Sequence, residues 1–376
     1  MHQPDKNYYP SLTGIRAIAA WMVFVHHYNF FSVERFGTSV NYFFAEMHIG
    51  VTLFFVLSGL LITLRYYDKP VNTGIAFRNY LVKRFARIYP MFFLIITLNF
   101  IWLLSTGIYN NTFSGGWKDY IGSITMTRGF FANFARPLAG QSWSITTEEC
   151  FYFCAPFIFL LIKKYKSLLY ILPVIFIALG ILITLLFIKF PFHGFYKDFR
   201  FLFNFTFLGR CIEFFTGIGL ALLYKRKQPK ISDSIIYTSI GVFIILLLLL
   251  ILSRLHTDLH YSDYFPLGIF INNLLLPLSG IAILFWGLLN EKNIITEFLS
   301  SSFMILAGKS SYIFYLIHVG IFMTVFYKSV TSNPIAVFIY LNIVSILLYK
   351  VIEHPLNTFF RNKFLKPEKP IISQVS

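Results

Sequence analysis

The chain has 376 residues, of which 57% are hydrophobic and only 13% are charged. A soluble domain carries about 25% charged residues, so this composition excludes an ordinary soluble protein and indicates a chain that crosses a membrane several times. The net charge of +16 could suggest nucleic-acid binding, but the cations stand in short segments between apolar runs, so we predict no nucleic-acid partner.

Ten long apolar stretches follow one another, each long enough to cross about 30 Å of lipid as a helix. The alternating apolar and polar residues of an outer-membrane barrel are absent. We therefore predict an all-α integral membrane protein, a single bundle of ten transmembrane helices. The spans lie roughly at 11–31, 44–66, 85–106, 144–162, 168–189, 201–224, 233–253, 267–289, 303–327 and 334–354.

The positions of Lys and Arg support this count, because short cytoplasmic loops are enriched in both. With ten spans, alternate segments hold 21 and nine of the 32 cations, and Arg16 and Arg210 lie within spans. This bias predicts two cytoplasmic termini: a leader at 1–10, a membrane domain at 11–354 and a short basic tail at 355–376. The leader has no basic region or small-residue cleavage site, so we expect the first span to be retained.

The first span carries Arg16 and His27, eleven positions apart. On an α-helix this is three turns plus about 20°, so both side chains point the same way, ~16 Å apart along the axis, whereas His26 points elsewhere. A cation and a titratable base on one stripe of a membrane helix are expected only where they face a polar cavity or partners. The pair therefore indicates a polar interior.

The segment VKRFARIYP precedes the third predicted span and places Lys83, Arg84 and Arg87 at its cytoplasmic end. Arg84 and Arg87 are helix neighbours, and two guanidinium forks suit phosphate groups. The same cations could instead hold the topology or contact anionic lipids. Glu353, near the inner boundary of the tenth span, could pair with the arginines.

The longest outer loop runs from about 107 to 143 and is rich in glycine, amide and aromatic residues. Loops of this length are usually functional or disordered. This one could stack on and hydrogen-bond a sugar, or its aromatic residues could simply anchor the chain at the membrane interface. The residues concerned are Asn110, Asn111, Gly115, Gly116 and Trp117.

The fourth span begins with QSWSITTEECFYF, in which Ser144, Glu148 and Tyr152 recur every four residues and share one helix face. In the predicted topology Glu148 and His27 both lie in the outer half of the membrane. We expect them to meet in one cavity, where a carboxylate would fix the tautomer of the imidazole and raise its basicity. A structural buried pair is the alternative.

Two further spans contain polar residues. In the sixth, Arg210 and Glu213 are three residues apart and can neutralise each other, so we interpret them as a structural pair. In the ninth, Ser311, Tyr315 and His318 share a face, and a polar stripe of three predicts that they line a cavity.

The sequence lacks the signatures of several other sites. The nucleophile elbow G-x-S-x-G is missing, and glycine-rich phosphate loops are absent. Cys150 and Cys154 lie on one helix face without further suitable ligands nearby, so we interpret them as packing residues and predict no metal site.

Together these segments resemble the membrane acyltransferase-3 family, which acylates bacterial surface carbohydrates. The resemblance covers nearly the whole chain, and seven segments occur in the family's order. They are Arg16 with His27, VTLFFVLSGLLIT with Ser58 and Gly59, KRFARIYP, QSWSITTEECFYF with its Trp-Ser-x-x-x-Glu signature, GRCIEF, SYIFYLIH and IEHP.

The resemblance implies ten core helices in the bacterial inner membrane, a cytoplasmic acyl-CoA donor, most simply acetyl-CoA, and a carbohydrate acceptor on the far side. O-antigen, capsule, other exopolysaccharide, peptidoglycan and small glycosides remain open as acceptors. Some family members carry an additional carboxy-terminal hydrolase-like domain; none is evident here, so we expect this chain to act alone or with a separate partner protein.

In the mechanism that we expect, His27 is a general base or a transient acyl acceptor, and Glu148 orients it. Arg16 holds the donor or polarises its carbonyl, and Lys83, Arg84 and Arg87 bind its phosphates. The predicted cavity lining is Trp143, Ser144, Tyr152, Ser311, Tyr315 and His318.

Two other classes of function remain. A secondary transporter or flippase could use a buried Arg/His/Glu relay, although such carriers often show internal repeats and none is evident here. A sensor or scaffold without chemistry is disfavoured by the presence of Arg16, His27 and Glu148 together.

Overall fold

The computed structural model describes residues 8–69, 74–109, 116–132, 138, 141–190 and 192–367. Within these residues the chain is helical, and extended pairing is limited to two isolated β-bridges, Phe131 with Phe195 and Ser232 with Glu291. The prediction of an all-α fold is confirmed. The α-helices are α1 Pro10–His27, α2 Val33–Phe36, α3 Thr38–Ala45, α4 Gly50–Tyr66, α5 Gly74–Ser105, α6 Lys118–Ile124, α7 Ser142–Lys164, α8 Leu168–Phe187, α9 Phe199–Phe205, α10 Phe207–Lys227, α11 Ile236–Leu255, α12 Pro266–Phe270, α13 Ala282–Asn290, α14 Ile294–Leu299, α15 Ser302–Ile317, α16 Ile321–Ser329, α17 Pro334–Leu348 and α18 His354–Phe364.

Eight helical stretches in the described part of the chain are long and apolar enough to cross a membrane, and a bent pair makes a ninth. The first predicted span, α1, is not among them, because Arg16, His26 and His27 make it less apolar than the other spans. α1 can hold these groups because it packs inside the bundle against α4, α14 and α15 rather than against lipid. The eight are Thr38–Tyr66, Gly74–Ser105, Ser142–Lys164, Leu168–Phe187, Phe199–Lys227, Ile236–Leu255, Pro266–Asn290 and Pro334–Phe364.

The third predicted span, at 85–106, lies within a longer helix. α5 already begins at Gly74 and runs for 32 residues, so VKRFARIYP lies within the helix. A helix can extend beyond the hydrocarbon, so the start of the span itself stays a prediction. Arg84 and Arg87 therefore have fixed helical positions.

The prediction of one continuous ninth span at 303–327 is wrong. α15 ends at Ile317, α16 begins at Ile321, and the two are bent by 79°. Gly320 has a φ of 106°, and a Cβ there would lie 2.6 Å from the Asn99 side-chain oxygen. That oxygen accepts a hydrogen bond of 2.8 Å from the Ile321 N–H, so Asn99 of α5 fixes the break.

Close glycine contacts hold the central helices together. A Cβ at Gly59 of α4 would lie 2.1 Å from the Phe214 carbonyl oxygen of α10, and one at Gly217 of α10 would lie 2.1 Å from the Val56 carbonyl oxygen. Only glycine permits backbones to approach this closely. A Cβ at Gly308 would similarly lie 1.9 Å from the Thr13 carbonyl oxygen, which holds α15 against α1.

The bundle has two chemically different ends. At the basic end, Tyr8, Arg65, Arg87 and Lys309 surround one opening. Residue Lys366 also lies at this end, because its backbone exchanges hydrogen bonds of 2.8 and 3.0 Å with the Asn79 side chain near the start of α5. Both ends of the described chain therefore lie at the basic end. The opposite, loop end is defined by His27, Arg128, Trp143 and Arg200.

Candidate active site

Two cavities enter the bundle from its opposite ends. The basic-end cavity has a volume of about 310 Å³, and the loop-end cavity has a volume of about 380 Å³. Val51 of α4 and Tyr315 of α15 line both cavities, so the two spaces meet at these side chains. The apolar bundle thus contains a polar path that is interrupted at one level.

Cations predominate in the basic-end cavity. Arg16, Arg84 and Arg87 line it together with two carboxylates, Glu148 and Glu353. Arg65 and Lys309 add positive charge, so the lining favours an anionic ligand with phosphate or carboxylate groups. Four tyrosines that could pack against a ring system, Tyr8, Tyr9, Tyr312 and Tyr349, also line this cavity.

Arg16 projects from α1 into this cavity. Its Nε donates a hydrogen bond of 3.4 Å to Ser311 Oγ, and its guanidinium lies 5.9 Å from the centre of the Phe54 ring. Ser311 itself does not line either cavity but holds Arg16 from behind. Ser311 was predicted to line a cavity; in the structure it instead contacts Arg16, which does.

Arg84 and Arg87 both line the basic-end cavity, as residues three apart on one face of α5. The Arg84 guanidinium lies 5.6 Å from the Tyr66 ring centre and 5.7 Å from that of Tyr152. Its Nη2 also donates a hydrogen bond of 3.4 Å to the Tyr66 hydroxyl. Lys83 does not line either cavity.

Glu148 belongs to the basic-end cavity and not to the surroundings of His27. Its carboxylate accepts hydrogen bonds from the hydroxyls of Ser58 and Tyr152, whereas His27 lines only the loop-end cavity. The expectation that Glu148 orients His27 is thus contradicted by the structure. α7 begins at Ser142, so Glu148 lies nearly two turns below the loop end, where α1 places His27 at its last residue.

His27 presents one nitrogen to the loop-end cavity. Its Nδ1 donates a hydrogen bond of 2.9 Å to the Val23 carbonyl oxygen, which leaves Nε2 as the basic nitrogen. The residue is exposed within the cavity. A backbone carbonyl thus sets the tautomer that the sequence interpretation attributed to a carboxylate.

His318 lies directly behind His27. The two ring centres are 5.0 Å apart, and His318 is only 1% exposed. Its Nδ1 donates a hydrogen bond of 2.6 Å to the Tyr315 carbonyl oxygen, and its Nε2 has no hydrogen-bond partner among the described residues. His318 therefore contacts the cavity histidine without lining a cavity itself, contrary to the predicted lining role.

A hydrogen bond closes the path between the cavities. Ser144 Oγ and the Tyr315 hydroxyl are 2.6 Å apart, and the Tyr315 hydroxyl also donates to the Gln141 carbonyl oxygen at 3.2 Å. Ser144 and Tyr152 line the basic-end cavity, while Trp143 lines the loop-end cavity with its ring centre 5.1 Å from that of Phe205. The start of α7 thus contributes to both sides.

Arg210 and Glu213 form a buried ion pair beside the loop-end cavity. Arg210 Nε donates hydrogen bonds of 2.7 and 3.0 Å to the two carboxylate oxygens of Glu213. Its other nitrogens donate to Thr52 Oγ1 at 2.9 Å and to the Asn204 carbonyl oxygen at 3.3 Å. Through Thr52 and Asn204, the pair joins α10 to α4 and to α9.

Several polar residues that line the loop-end cavity were not predicted as site residues from the sequence. Arg128 and Arg200 line the loop-end cavity with Tyr261. Arg128 and Tyr261 come from segments between spans, and Arg200 stands at the start of the stretch Phe199–Lys227. Arg200 lies 3.9 Å from Asp263 and stacks 4.4 Å from the Tyr264 ring centre. Loop residues have no periodicity that would identify them, so only tertiary structure could bring them together.

The outer loop that could contact a sugar is described only in part. Asn110, Asn111 and Gly115 lie outside the described residues. Trp117 is 37% exposed, and its ring centre lies 4.9 Å from that of Phe100 of α5. Trp117 therefore packs on the bundle with one edge accessible, an arrangement consistent with either interpretation.

Comparison with known proteins identifies a matching protein family and several similar proteins. The model of the acyltransferase-3 family, described as an acyltransferase domain, matches residues 9–352. The chain is similar to the acyltransferase MdmB of Streptomyces mycarofaciens, with 29% identity over 41% of this chain and 40% of that protein. It is also similar to the peptidoglycan O-acetyltransferase OatA of Listeria monocytogenes, with 28% identity over 47% of this chain and 28% of that protein.

A Staphylococcus aureus strain COL protein named as an O-acetyltransferase is 26% identical over 96% of this chain and 58% of its own length. In each of these three comparisons the matched region spans less than two thirds of the relative. No solved structure matches the chain.

Proposed function

The chain belongs to the acyltransferase-3 family, and on that premise we propose that it is a membrane O-acyltransferase that moves an acyl group, most simply acetyl, from acyl-CoA to a carbohydrate hydroxyl. The observation that carries this proposal is the pair of cavities meeting at Val51 and Tyr315. One cavity suits an anionic donor, and the other exposes a basic imidazole nitrogen.

The basic-end cavity is the proposed donor site. Arg84 and Arg87 would hold the phosphates of acyl-CoA inside this cavity, since guanidinium groups match phosphate oxygens in geometry and charge. Arg16 lies deeper and would polarise the thioester carbonyl. Glu148 accepts hydrogen bonds from the hydroxyls of Ser58 and Tyr152. These three side chains would lie beside the thioester of the bound donor.

His27 is the proposed general base. A sugar hydroxyl in the loop-end cavity would give its proton to Nε2 of His27 while its oxygen attacks the thioester carbonyl carbon. The C–O bond of the ester forms and the C–S bond breaks. The proton that Nε2 took from the hydroxyl then passes to the leaving thiolate, which gives free CoA and restores the neutral imidazole. The Nδ1 hydrogen bond to Val23 keeps Nε2 available for this transfer.

The proposed location is the bacterial inner membrane, with the basic end in the cytoplasm, where acyl-CoA is made. The excess of cations in alternate segments supports this orientation. The acceptor would then be an extracytoplasmic or lipid-linked carbohydrate such as O-antigen, capsule, another exopolysaccharide or peptidoglycan.

Expression of the chain in a bacterium, followed by mass spectrometry of its surface glycans, tests the proposal. Wild-type protein is expected to add acetyl groups, and His27→Ala to reduce the transfer by about 10²- to 10⁴-fold, the usual contribution of a positioned base. His260→Ala, which changes a histidine outside both cavities, is the matched control. Full acetylation by His27→Ala at equal membrane abundance would reject His27 as the base.

A transporter or flippase is the second candidate, because two cavities separated by a thin partition also suit alternating access. Purified protein in sealed vesicles with radiolabelled acetyl-CoA separates the two. Label in the glycan supports the enzyme, whereas movement of a substrate across the membrane without label transfer supports the carrier.

A further inference from the structure

Val51 and Tyr315 occupy a special place because they alone line both cavities in the described part of the chain. We infer that these two side chains form a partition that limits the length of the acyl group transferred, and so select a short-chain acyl-CoA. This inference rests on the proposed function and deepens it.

The chemistry requires the acyl group to cross this level. His27 lines the loop-end cavity, whereas Arg16, Arg84 and Arg87 line the basic-end cavity. A donor held by its phosphates at the basic end can reach a hydroxyl beside His27 only at the junction of the cavities. The carbonyl carbon must lie at the partition, so the rest of the acyl chain must fit in the space between Val51 and Tyr315.

Tyr315 is held rigidly at this position. Its hydroxyl is bonded to Ser144 Oγ at 2.6 Å and donates to the Gln141 carbonyl oxygen at 3.2 Å. The residue is 7% exposed, and its ring centre lies 6.2 Å from that of Phe54. The Tyr315 ring therefore cannot change its rotamer to admit a longer acyl chain without losing these contacts.

Val51 is the other, smaller wall. It is 7% exposed and follows Gly50, where a Cβ would lie 2.3 Å from the Ala19 carbonyl oxygen of α1. The backbone of α4 is therefore in close contact with α1 at this point, so α4 cannot move further toward α1. A β-branched side chain also has few rotamers on a helix, so the Val51 methyl groups have nearly fixed positions.

A competition assay tests the inference. Purified protein receives equal concentrations of acetyl-, propionyl- and butyryl-CoA with chitotriose and methyl hexosides as acceptor probes, and mass spectrometry distinguishes the products by acyl mass. Wild-type protein is expected to favour acetyl, because one extra methylene in a fitted pocket changes selectivity by roughly 10- to 200-fold. Val51→Ala is expected to lower the acetyl-to-butyryl product ratio at least tenfold.

Val56→Ala is the matched control, because Val56 is a fully buried valine of the same helix that lines neither cavity. Its product ratio is expected to equal that of the wild type. Each ratio is taken within one sample, so partial misfolding of a variant does not alter it. An unchanged ratio in Val51→Ala, with active wild-type protein, would overturn the partition alone.

Val51→Ile provides the opposite change. An added methyl group is expected to lower propionyl transfer relative to acetyl transfer, while acetyl-CoA still binds at the basic end. Equal transfer of the three acyl groups by wild-type protein would contradict the partition and leave the acyltransferase intact. Failure of wild-type protein to transfer any acyl group would instead overturn the proposed function, and the partition with it.

Discussion

At the scale of single residues, backbone groups and hydroxyls hold the polar side chains where opposite charges were expected. His27 is oriented by the Val23 carbonyl oxygen at 2.9 Å. Glu148 accepts hydrogen bonds from Ser58 and Tyr152. In a low-dielectric bundle, these hydroxyl groups satisfy the carboxylate directly, and Arg16 lines the same cavity. The base and the carboxylate can therefore serve different substrates.

The separation of Glu148 from His27 predicts independent effects on the pH dependence. Glu148→Gln is expected to reduce kcat/KM but to leave the acidic limb of its pH profile at the wild-type position, because that limb reports the protonation of His27. Ser58→Ala, which removes a hydroxyl partner of Glu148, is expected to keep the same limb. A move of the limb to lower pH by about one unit, or ~1.4 kcal/mol, in Glu148→Gln would restore the direct pairing of the two residues.

His318 shows how a residue type alone misleads. The spacing of Ser311, Tyr315 and His318 correctly places them on one face of α15, but only Tyr315 lines a cavity. Ser311 contacts Arg16, and His318 packs behind the His27 ring. Side chains on one helix face can thus contact a cavity, a cavity arginine and the ring of the proposed base at successive turns.

At the scale of secondary-structure elements, glycine contacts and breaks position the site. α4 and α10 approach through Gly59 and Gly217, which brings Val51 and Ser58 of α4 toward the bundle axis. The bend after α15 ends that helix beside His27, and Asn99 of α5 fixes the bend. These features determine the level at which the cavities meet.

Two glycines on α10 predict a contrast in stability. Gly217→Ala is expected to destabilise the protein by about 1–3 kcal/mol or more, since the new methyl would overlap backbone atoms of α4 and force the helices apart. At Gly219 a Cβ has only an ordinary contact of 3.8 Å with Leu169 Cδ2. Gly219→Ala is therefore expected to be neutral or to stabilise the helix by up to about 1 kcal/mol.

Thermal unfolding of the two variants in detergent micelles measures this contrast. Equal melting temperatures for Gly217→Ala and the wild type would show that α4 and α10 are not in close contact in the membrane protein.

At the scale of the whole molecule, the two ends of the bundle carry different polar groups. Tyr8, the first described residue, and Lys366, next to the last one, lie at the basic end, where Arg65, Arg87 and Lys309 line the cavity. The loop end contains His27, Trp143 and Arg200. This asymmetry supports the proposal that the donor and the acceptor enter from opposite sides of the membrane.

Cysteine labelling tests the orientation. In a background without Cys150, Cys154 and Cys211, a membrane-impermeant thiol reagent added to intact cells is expected to label Lys328→Cys but not Arg226→Cys. Both positions are exposed. Arg226 follows Lys225, which pairs with Asp68 just beyond the basic end of α4, whereas Lys328 lies in α16, after the bend beside His27. Labelling of Arg226→Cys alone would place the basic end outside the cell and contradict a cytoplasmic donor.

The sequence alone determined that this is an all-α membrane protein, because long apolar runs can satisfy their backbone groups in lipid only as helices. It also singled out Arg16, Arg84, Arg87, His27 and Glu148, since charged and titratable groups are costly in hydrocarbon and stand out against an apolar background.

Only the tertiary structure decided which of these groups share a space. Helical spacing gives the face of a side chain, but the depth and rotation of one helix against another depend on contacts between distant residues, such as Gly217 with Val56. For that reason Glu148 and His27 lie in different cavities, and Val51, an ordinary valine in the sequence, stands where the cavities meet.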